Sequence, residues 1–328
     1  PRSTLFPYTT LFRSIMAKIS IDQLKTSIDT AHSILLTVHV SPDGDAIGSM
    51  LAMYEALVAQ GKAVRMVVDD VIPEKFSFLP LCSKIEPIES LETGYTSDML
   101  LILDASTFER IGEVGVRVSA PTFNIDHHIS NTEFADGLYL RPDFSSTGET
   151  VAYLCKIWNW EITQSMGQAL YMAMATDTGF FKFSNTTAHT MEMSGLCLQA
   201  GAEPHVISEA IEMVEPGRIE VMKEVLDNVA FHHDGQVVSM SLTLPLMERI
   251  GDDTDGFVDM IRNIKGVDVA IVLKSKTETL TRASIRSKVR DANQIASYFG
   301  GGGHIRAAGC SIESPIHEAL EQILAVID

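Results

Sequence analysis

Several apolar runs in this chain end in acidic or imidazole side chains, and this repeated pattern constrains the fold more than any other feature. The run Pro121-Thr-Phe-Asn-Ile125 leads directly into Asp126-His127-His128. A short apolar run after a proline is typical of a buried strand, and open α/β sheets bind ligands at the carboxyl ends of their strands. Two adjacent histidines alone are more often a solvated turn, so the prediction of a site depends on the other runs.

Three further runs end in the same way. Residues 34–38 are predicted as a strand that ends at His39, with Asp43-Gly-Asp45 close behind. Residues 99–103 are predicted as a strand that ends at Asp104, and an apolar helix over 164–174 ends close to Asp177. The ends of these elements therefore place carboxylates and imidazoles at several points of one predicted layer.

The order of the elements predicts the fold class. Apolar strands, with a further one at 63–68, alternate with helices and indicate an α/β protein with a mostly parallel, doubly wound sheet. We expect this sheet domain over 16–185, a helical connector over 186–228, and a smaller mixed α/β domain over 229–328. In the last domain, strands are predicted at 236–242, 267–274 and 280–286, with helices near 255–265 and 291–299.

The first fifteen residues match neither the body of the chain nor an export signal, because polar residues interrupt their apolar stretch. We expect residues 1–15 to be a non-native leader, with Met16 as the natural start. This expectation concerns the leader alone and does not affect the domains that follow.

Composition excludes some classes of function. A net charge of −18 argues against a surface for long nucleic acids, which bind through basic surfaces. A short anionic substrate remains compatible with this charge. No apolar run reaches the length of a membrane span. The four cysteines are scattered without metal-type spacing, which favours reduced thiols in a cytoplasmic protein.

The donor types at the predicted strand ends favour a pair of hard cations. Carboxylates with a minority of imidazoles and no thiolate suit Mn²⁺ or Mg²⁺. Four carboxylates and two or three histidines exceed the needs of one ion and suit two ions about 3.5–4 Å apart. We expect two Mn²⁺, with Mg²⁺ as the alternative, and water activated by both metals. The glycine between Asp43 and Asp45 is expected to let each acid face a different ion.

These motifs resemble those of the DHH phosphoesterases. The resemblance rests on His39-Val-Ser-Pro-Asp-Gly-Asp-Ala-Ile-Gly-Ser, Leu103-Asp, Asn124-Ile-Asp-His-His-Ile-Ser-Asn and Ala175-Thr-Asp-Thr-Gly. In addition, Gly300-Gly-Gly-Gly-His-Ile-Arg-Ala-Ala-Gly resembles the signature of the DHH-associated C-terminal domain. The two-domain length resembles the bacterial nanoRNase and pAp phosphatase branch and lacks the extra module of RecJ exonucleases.

The resemblance implies roles for individual residues. His39 and Asp43 would hold the first ion, Asp104 would bridge, and Asp45, His127 and Asp177 would hold the second. Asp126 and His128 would support these ligands, and both join Asp104 as catalytic candidates. His128 is expected to orient or deprotonate the nucleophile, or to act only as a supporting group.

The second domain is expected to bind the substrate. Period-2 alternation places Arg282, Ser284, Arg286 and Lys288 on one face of a strand. The resemblance implies phosphate contacts from Arg286, Ser287, Gly301, Gly302, Gly303 and His304, and flexible glycines can form an anion-binding nest. Arg110 and Asn131 are further substrate candidates, with an ordinary loop role as an equal alternative.

The predicted function is an enzyme of the phosphoric ester hydrolase class, of the oligoribonuclease or 3′,5′-bisphosphate nucleotidase type. Its expected substrates are short oligoribonucleotides, and pAp or linear di-adenylate, which it would convert to mononucleotides. A cyclic dinucleotide phosphodiesterase, an exopolyphosphatase and a nucleotide-binding sensor are the alternatives. We expect a short RNA or nucleotide as partner, with no membrane and no long nucleic acid. A homodimer is compatible with the sequence, which does not determine the oligomeric state.

Overall fold

The computed structural model describes residues 17–213, 216–250, 254 and 256–327. The predicted leader, residues 1–15, and Met16 lie outside the described residues. The chain forms two compact units that divide between residues 213 and 214. This division lies inside the segment 186–228 that was predicted as a helical connector.

The first unit is built on a parallel sheet. Among the described residues, seven strands pair in the order β1-β9-β8-β6-β2-β3-β4, and every pair is parallel. Two further strands, β5 and β7, form a separate parallel pair. The strands are β1 Ala17–Lys18, β2 Ser33–Thr37, β3 Ala63–Val68, β4 Glu86–Pro87, β5 Tyr95–Thr96, β6 Met99–Leu103, β7 Val118–Ser119, β8 Thr122–Asp126 and β9 Gly137–Leu140.

Helices cover the sheet, and α2 is the central one. Nearly every residue of its first half is buried, because it packs against α4, α5 and the sheet. The α-helices of this unit are α1 Ile21–Thr30, α2 Gly44–Ala59, α3 Val114–Arg117, α4 Thr147–Ile157, α5 Gln164–Asp177, α6 Ala188–Gln199 and α7 Pro204–Glu212. Within the described part of the chain, no helix combines the length and hydropathy that crossing a bilayer requires.

Both faces of the sheet are buried. In β2, Ile34 and Leu36 belong to the apolar cluster that contains α2, while Leu35 belongs to the cluster on the opposite face. In β6, Leu101 belongs to the cluster that contains α2, and Leu100 belongs to the opposite one. A strand buried on both sides has a continuous apolar sequence, which is why β6 could be predicted with the bounds that the structure has.

The second unit has a mixed sheet. Its described strands pair in the order β10-β11-β12-β13-β15-β14, and all pairs are antiparallel except β11 with β12. The strands are β10 Val229–His232, β11 Val237–Leu242, β12 Val269–Ser275, β13 Thr281–Ser287, β14 Gly302–His304 and β15 Ala307–Ile312. The helices are α8 Pro216–Asp227, α9 Leu244–Ile250, α10 Phe257–Arg262, α11 Ala292–Ser297 and α12 Ile316–Ala325.

The predicted fold class is confirmed: a mostly parallel α/β domain is followed by a smaller mixed α/β domain. The segment 186–228 is helical, but its helices do not form a separate layer. In the first unit, α6 packs against α4 and α5, and α7 packs against α5. In the second unit, α8 packs against β11 and α9. The predicted connector is thus divided between the two units.

Candidate metal centre

The polar endings predicted from the sequence converge at the C-terminal edge of the parallel sheet. His39 lies after β2, Asp104 follows β6 directly, and Asp126 is the last residue of β8. Two helices bring in further acids, since Asp45 lies in the first turn of α2 and Asp177 is the last residue of α5. Parallel strands share one carboxyl edge, so elements far apart in sequence deliver side chains to the same place.

One group of candidate ligands consists of His39, Asp43 and Asp104, whose ligand atoms lie within 4.8 Å of one another. Nε2 of His39 is 3.4 Å from Oδ2 of Asp104 and 3.8 Å from Oδ2 of Asp43. Nδ1 of His39 lies 2.8 Å from the carbonyl oxygen of Val40. Because a carbonyl only accepts, Nδ1 carries a hydrogen, and Nε2 is the nitrogen that faces the carboxylates.

A second group consists of Asp45, His127 and Asp177, again with ligand atoms within 4.8 Å of one another. Nε2 of His127 lies 3.7 Å from Oδ2 of Asp45 and 3.7 Å from Oδ2 of Asp177. Both groups match the ligand sets that the family resemblance implied. The structure thus brings all six of those residues together.

Asp104 connects the two groups. While its Oδ2 faces His39, its Oδ1 lies 3.6 Å from Nε2 of His127 and 3.7 Å from Nδ1 of His128. Asp104, His127 and His128 form a third set of ligand atoms within 4.8 Å. The backbone of Asp104 has a φ of 57°, a left-handed conformation that is uncommon outside glycine and recurs at functional sites.

Burial and mutual repulsion act on the carboxylates of this centre. Burial, and then the negative charges of Asp104, Asp177 and Asp43, raise the pKa of Asp45 well above its ordinary range. The pKa of Asp177 is raised for the same reasons, with burial first and the charges of Asp43 and Asp104 next. Buried like charges need positive counter-charge, which divalent cations would supply.

The imidazoles respond to the same carboxylates. Burial alone would raise the pKa of Asp104, but its hydrogen bond with His39 and the nearby imidazoles lower it. Burial would lower the pKa of His39, and its contact with Asp104 outweighs this and raises it. Burial would also lower the pKa of His128, but Asp126 and Asp104 outweigh it and raise this pKa to about 9. For His127, burial dominates and lowers the pKa, which favours the neutral, metal-binding form.

A layer of hydrogen-bond donors holds Asp45 and Asp104, and sequence reasoning missed it. The N–H groups of Thr147 and Gly148 donate to the two oxygens of Asp45 at 2.7 and 2.8 Å. The hydroxyl of Thr147 donates to Oδ1 of Asp104 at 3.0 Å, and that of Ser49 donates to Asp45 at 3.2 Å. Such outer partners fix the orientation of ligating carboxylates.

Asp126 belongs to none of the three ligand groups and instead supports them through hydrogen bonds. Its Oδ1 accepts from the N–H of His127 at 2.8 Å and lies 2.8 Å from Nδ1 of His128. Its Oδ2 accepts from Nδ2 of Asn131 at 2.6 Å. The side-chain oxygen of Asn131 accepts from the N–H of Glu133, so the structure places Asn131 within this loop's own hydrogen bonds.

Glu149 and His189 form a pair that no sequence pattern indicated. Glu149 is fully buried, and its Oε1 lies 2.6 Å from Nδ1 of His189. Its Oε2 accepts from the N–H and hydroxyl of Ser145 and from the hydroxyl of Thr190. The carboxylate therefore ties the loop before α4, which leads into Thr147, to the first turn of α6.

Glycine is required between Asp43 and Asp45 for a different physical reason from the one expected. A Cβ at Gly44 would lie 2.4 Å from Oγ1 of Thr176, the residue before Asp177. Gly44 therefore allows the start of α2 to approach the end of α5. Asp43 is the N-cap of α2 and accepts from the N–H groups of Asp45 and Ala46.

The donor set fits hard divalent cations. Each group combines carboxylate oxygens with an imidazole nitrogen, and no cysteine is part of any group among the described residues. This is the chemistry of Mn²⁺ and Mg²⁺ sites rather than of structural zinc. The one exposed member, Asp43, leaves the first group open to solvent on one side.

Arg110 lies beside the first group. It is an exposed residue in the short 3₁₀ segment Phe108–Ile111. Its carbonyl oxygen accepts from the N–H of Val40 at 2.7 Å, which holds this segment against the loop that carries His39.

In the second unit, β13 alternates as predicted. Arg282, Ser284 and Arg286 lie on one face, and Ala283 and Ile285 are buried on the other. Ser287 lies on the same buried face of β13 as Ala283 and Ile285. Its hydroxyl donates to the carbonyl oxygen of Arg290 at 2.5 Å, so this predicted substrate contact is engaged within the unit.

The glycine segment, predicted to be a loop, is only partly one, because Gly302 and Gly303 belong to β14 while Gly300 and Gly301 precede it. Gly302 and His304 are the ends of β14, which pairs with β15, and a Cβ at Gly301 would lie 2.2 Å from the carbonyl oxygen of Gly309. The N–H of Gly301 donates to Ala296, and that of Gly303 donates to Oδ1 of Asn293. The predicted anion nest is therefore wrong for these two N–H groups, because they have protein partners. His304 is exposed at the end of the strand.

Comparisons with known proteins agree with this fold. Residues 33–176 match the DHH family, N-terminal domain, and residues 248–328 match the DHHA1 domain. The bifunctional oligoribonuclease and PAP phosphatase NrnA of Thermus thermophilus is 34% identical over 90% of this chain and 89% of its own length. The protein of that name from Bacillus subtilis is 26% identical over 93% of this chain and 97% of its own length.

A solved structure shows the same two-domain architecture. The crystal structure of an exopolyphosphatase-related protein from Bacteroides fragilis superposes with a TM-score of 0.85 and 28% identity. The match covers 93% of this chain and 94% of that one.

The fold and the family matches define a two-domain α/β phosphoesterase, with side chains that could hold metal ions at the carboxyl edge of its parallel sheet. The chain belongs to the DHH family and carries a DHHA1 domain. The family prediction is thereby confirmed. The predicted class of enzyme, a phosphoric ester hydrolase, is also confirmed, since the named relatives are hydrolases of this class.

Proposed function

We propose that this protein uses divalent cations to hydrolyse short oligoribonucleotides, and pAp or linear di-adenylate, to mononucleotides. The observation that carries the proposal is the position of Asp104. It forms one ligand group with His39 and Asp43 through Oδ2, and its Oδ1 lies 3.6 Å from Nε2 of His127, which forms another group with Asp45 and Asp177. The names of the relatives from Thermus thermophilus and Bacillus subtilis support the choice of substrates.

The cations are proposed to be two Mn²⁺, with Mg²⁺ as the alternative. Two divalent cations held here would lower the pKa of bound water. They would also stabilise the negative charge on the phosphate oxygens. Asp104 would contact both, because each of its oxygens faces a different group. Thr147 would keep this carboxylate in place through its hydroxyl.

Other residues of the centre hold its imidazole side chains in position. Asp126 holds the imidazole of His128 through Nδ1. We therefore assign His128 the role of orienting the nucleophile, or of supporting the ligands beside Asp104. Val40 fixes the tautomer of His39 so that Nε2 points to the ligand group.

The second unit is proposed to bind phosphate groups of the substrate. Arg286 lies half-buried on the polar face of β13, and His304 is exposed at the end of β14. Ser287, Gly301, Gly302 and Gly303 are proposed to support these two side chains, because Ser287 follows Arg286 in β13 and the glycines lead into His304. Arg110 and Asn131 remain proposed contacts in the first unit, where Asn131 acts through Asp126.

A panel of substrates tests the proposed function. The purified protein is assayed with Mn²⁺ on pAp, linear di-adenylate, RNA of two to five nucleotides, cyclic dinucleotides and polyphosphate. We expect release of mononucleotides from the first three classes. Turnover of cyclic dinucleotides or polyphosphate alone would replace the proposal by one of those activities. Nucleotide binding without any product would indicate a sensor.

The Asp104→Asn variant is the matched control for the panel. It removes the negative charge of the shared ligand and keeps its volume. Outer-sphere partners of metals are commonly worth about 10–100-fold in activity, so the loss at a shared ligand should exceed that range. Circular dichroism and the melting temperature check that the fold is retained. Near-normal turnover by Asp104→Asn would contradict the two-group scheme.

A further inference from the structure

The chain turns back sharply after the ligand residue Asp177. Gly179, Phe180 and Phe181 have φ values of 57°, 56° and 62°, so three successive residues are left-handed. The N–H of Phe180 donates to the carbonyl oxygen of Ala175 at 2.6 Å, and that of Gly179 donates to Thr176 at 3.3 Å. This pattern ends many helices, and it requires a single left-handed residue, which is usually glycine. Gly179 fills that position, so the helix end does not explain the conformation of the two phenylalanines.

A left-handed backbone is unfavourable for bulky side chains. Such residues persist where the surrounding structure holds them, and they are concentrated at ligand-binding sites. The two phenylalanines therefore need separate explanations, which their surroundings provide.

Phe181 is explained by packing. Its ring lies 5.4 Å from that of Tyr171 in an edge-on arrangement, and it packs against the main apolar core of the first unit. Phe180 differs, because it belongs to none of the four apolar clusters found among the described residues. Its ring is half-buried, with Nζ of Lys182 at 5.9 Å from the ring centroid.

The turn is held against the metal centre. Nδ2 of Asn185 donates to the carbonyl oxygen of Asp177 at 3.1 Å and to that of Ser145 at 3.3 Å. Ser145 begins the segment whose Thr147 holds Asp104. Phe180 is thus fixed near a ligand residue while its ring is not used for core packing.

We propose that Phe180 determines specificity by stacking its ring on the nucleobase next to the scissile phosphate. This inference rests on the proposed function and deepens it. Every nucleobase has a π-face, so an aromatic side chain selects for a base without selecting its sequence. Lys182, whose Nζ lies 5.9 Å from the ring centroid, adds a cation beside the ring for an anionic substrate. The site then prefers nucleotides to phosphate esters that lack a base.

A pair of substrates tests this inference. kcat/KM is measured with Mn²⁺ for pAp and for ribose 3′,5′-bisphosphate, which has the same phosphates and no base. Base stacking commonly changes affinity by about tenfold or more. We expect the wild type to prefer pAp by at least that factor, and the preference to fall about tenfold in Phe180→Asn. Asparagine adopts the left-handed conformation readily, so this variant keeps the turn.

Two further variants complete the design. Phe180→Tyr retains a ring and is expected to retain the preference for pAp. Phe231→Asn removes a phenylalanine that is 57% exposed in the second unit and is expected to leave both rates unchanged. An equal loss of both rates in Phe180→Asn, or a wild type without preference, would overturn the inference.

Equilibrium binding separates this inference from the proposed function. If neither bisphosphate is hydrolysed, the proposed activity on pAp fails, and AMP and ribose 5-phosphate are titrated instead. Tighter binding of AMP that is lost in Phe180→Asn supports base stacking. Equal affinities for the two ligands contradict it.

Discussion

Oδ2 of Asp104 lies 3.4 Å from Nε2 of His39. The other oxygen of this carboxylate lies 3.6 Å from Nε2 of His127, which belongs to a different ligand group. Asp104 is only 2% exposed and is held by Thr147, so its two oxygens have fixed directions. A buried carboxylate between two groups of this kind is suited to contact two cations at once.

The loop before α4 should depend on Glu149. Replacing it with glutamine removes the carboxylate that accepts from Ser145 and Thr190 and faces His189. Hydrogen bonds to a charged group are worth more than neutral ones, so we expect Glu149→Gln to lower the free energy of unfolding by about 1–3 kcal/mol. Urea denaturation measures the change.

The affinity for Mn²⁺ should also fall in Glu149→Gln, because the loop leads into the donors that hold Asp45. The matched control is Glu192→Gln on α6, whose carboxylate is exposed and pairs with Lys156. The control should retain wild-type stability and metal affinity. Equal behaviour of the two variants would show that Glu149 does not organise the loop.

A close contact between α2 and α5 should make Gly48 intolerant of any side chain. A Cβ at this position would lie 2.3 Å from the carbonyl oxygen of Ala169. Because backbone cannot yield as a flexible side chain does, Gly48→Ala should lose about 1–3 kcal/mol of unfolding free energy. Urea denaturation at neutral pH is the measurement.

Gly195 in α6 provides the control for that substitution. A Cβ there would meet nothing within 4 Å, so Gly195→Ala should stabilise the helix by up to about 1 kcal/mol. Opposite signs for the two glycines are expected. A Gly48→Ala variant as stable as the wild type would mean that the two helices do not approach as closely as described.

The second unit should lose stability in acid through Asp268. Burial opposes the ionised form, but hydrogen bonds from the N–H of Val289 and from Arg290 outweigh it and lower the pKa below its ordinary value of 3.8. The folded state therefore holds the proton less tightly than the unfolded state. The contribution of the ionised Asp268 to the stability of the fold is fully present above about pH 4. It is lost as the pH falls through the pKa that Asp268 has in the folded state.

The variant Asp268→Asn tests the predicted direction of this pH dependence. Hydrogen bonds to a charged group are worth more than neutral ones, so the variant should be less stable than the wild type near pH 7, by about 1 kcal/mol. The difference should shrink as the pH falls below about 3.8. Thermal unfolding across this pH range measures it, and a difference independent of pH would rule out the ionised carboxylate as its source.

The sequence predicted the central strands of the first unit well. The strands 63–68 and 99–103 have the predicted bounds, and in 99–103 the continuous apolar run leaves little freedom for the ends. Short strands such as β9 and the hairpin β14–β15 were missed. Their few residues carry no long apolar run, and tertiary pairing alone makes them strands.

The candidate ligands could be predicted for a similar reason, since acids and imidazoles at the ends of apolar runs are visible in sequence. The groups that hold them could not. Thr147 and Gly148 bind Asp45 through backbone N–H groups, which nearly every residue type possesses. Glu149 and His189 are 40 positions apart and meet only after α4 and α6 have packed.

A crystal structure of the protein with Mn²⁺, with anomalous data collected for manganese, tests the central claim most directly. We predict two anomalous peaks about 3.5–4 Å apart, one beside His39 and Asp43 and the other beside Asp45, His127 and Asp177, with Asp104 in contact with both. A single peak, or peaks away from Asp104, would contradict the account.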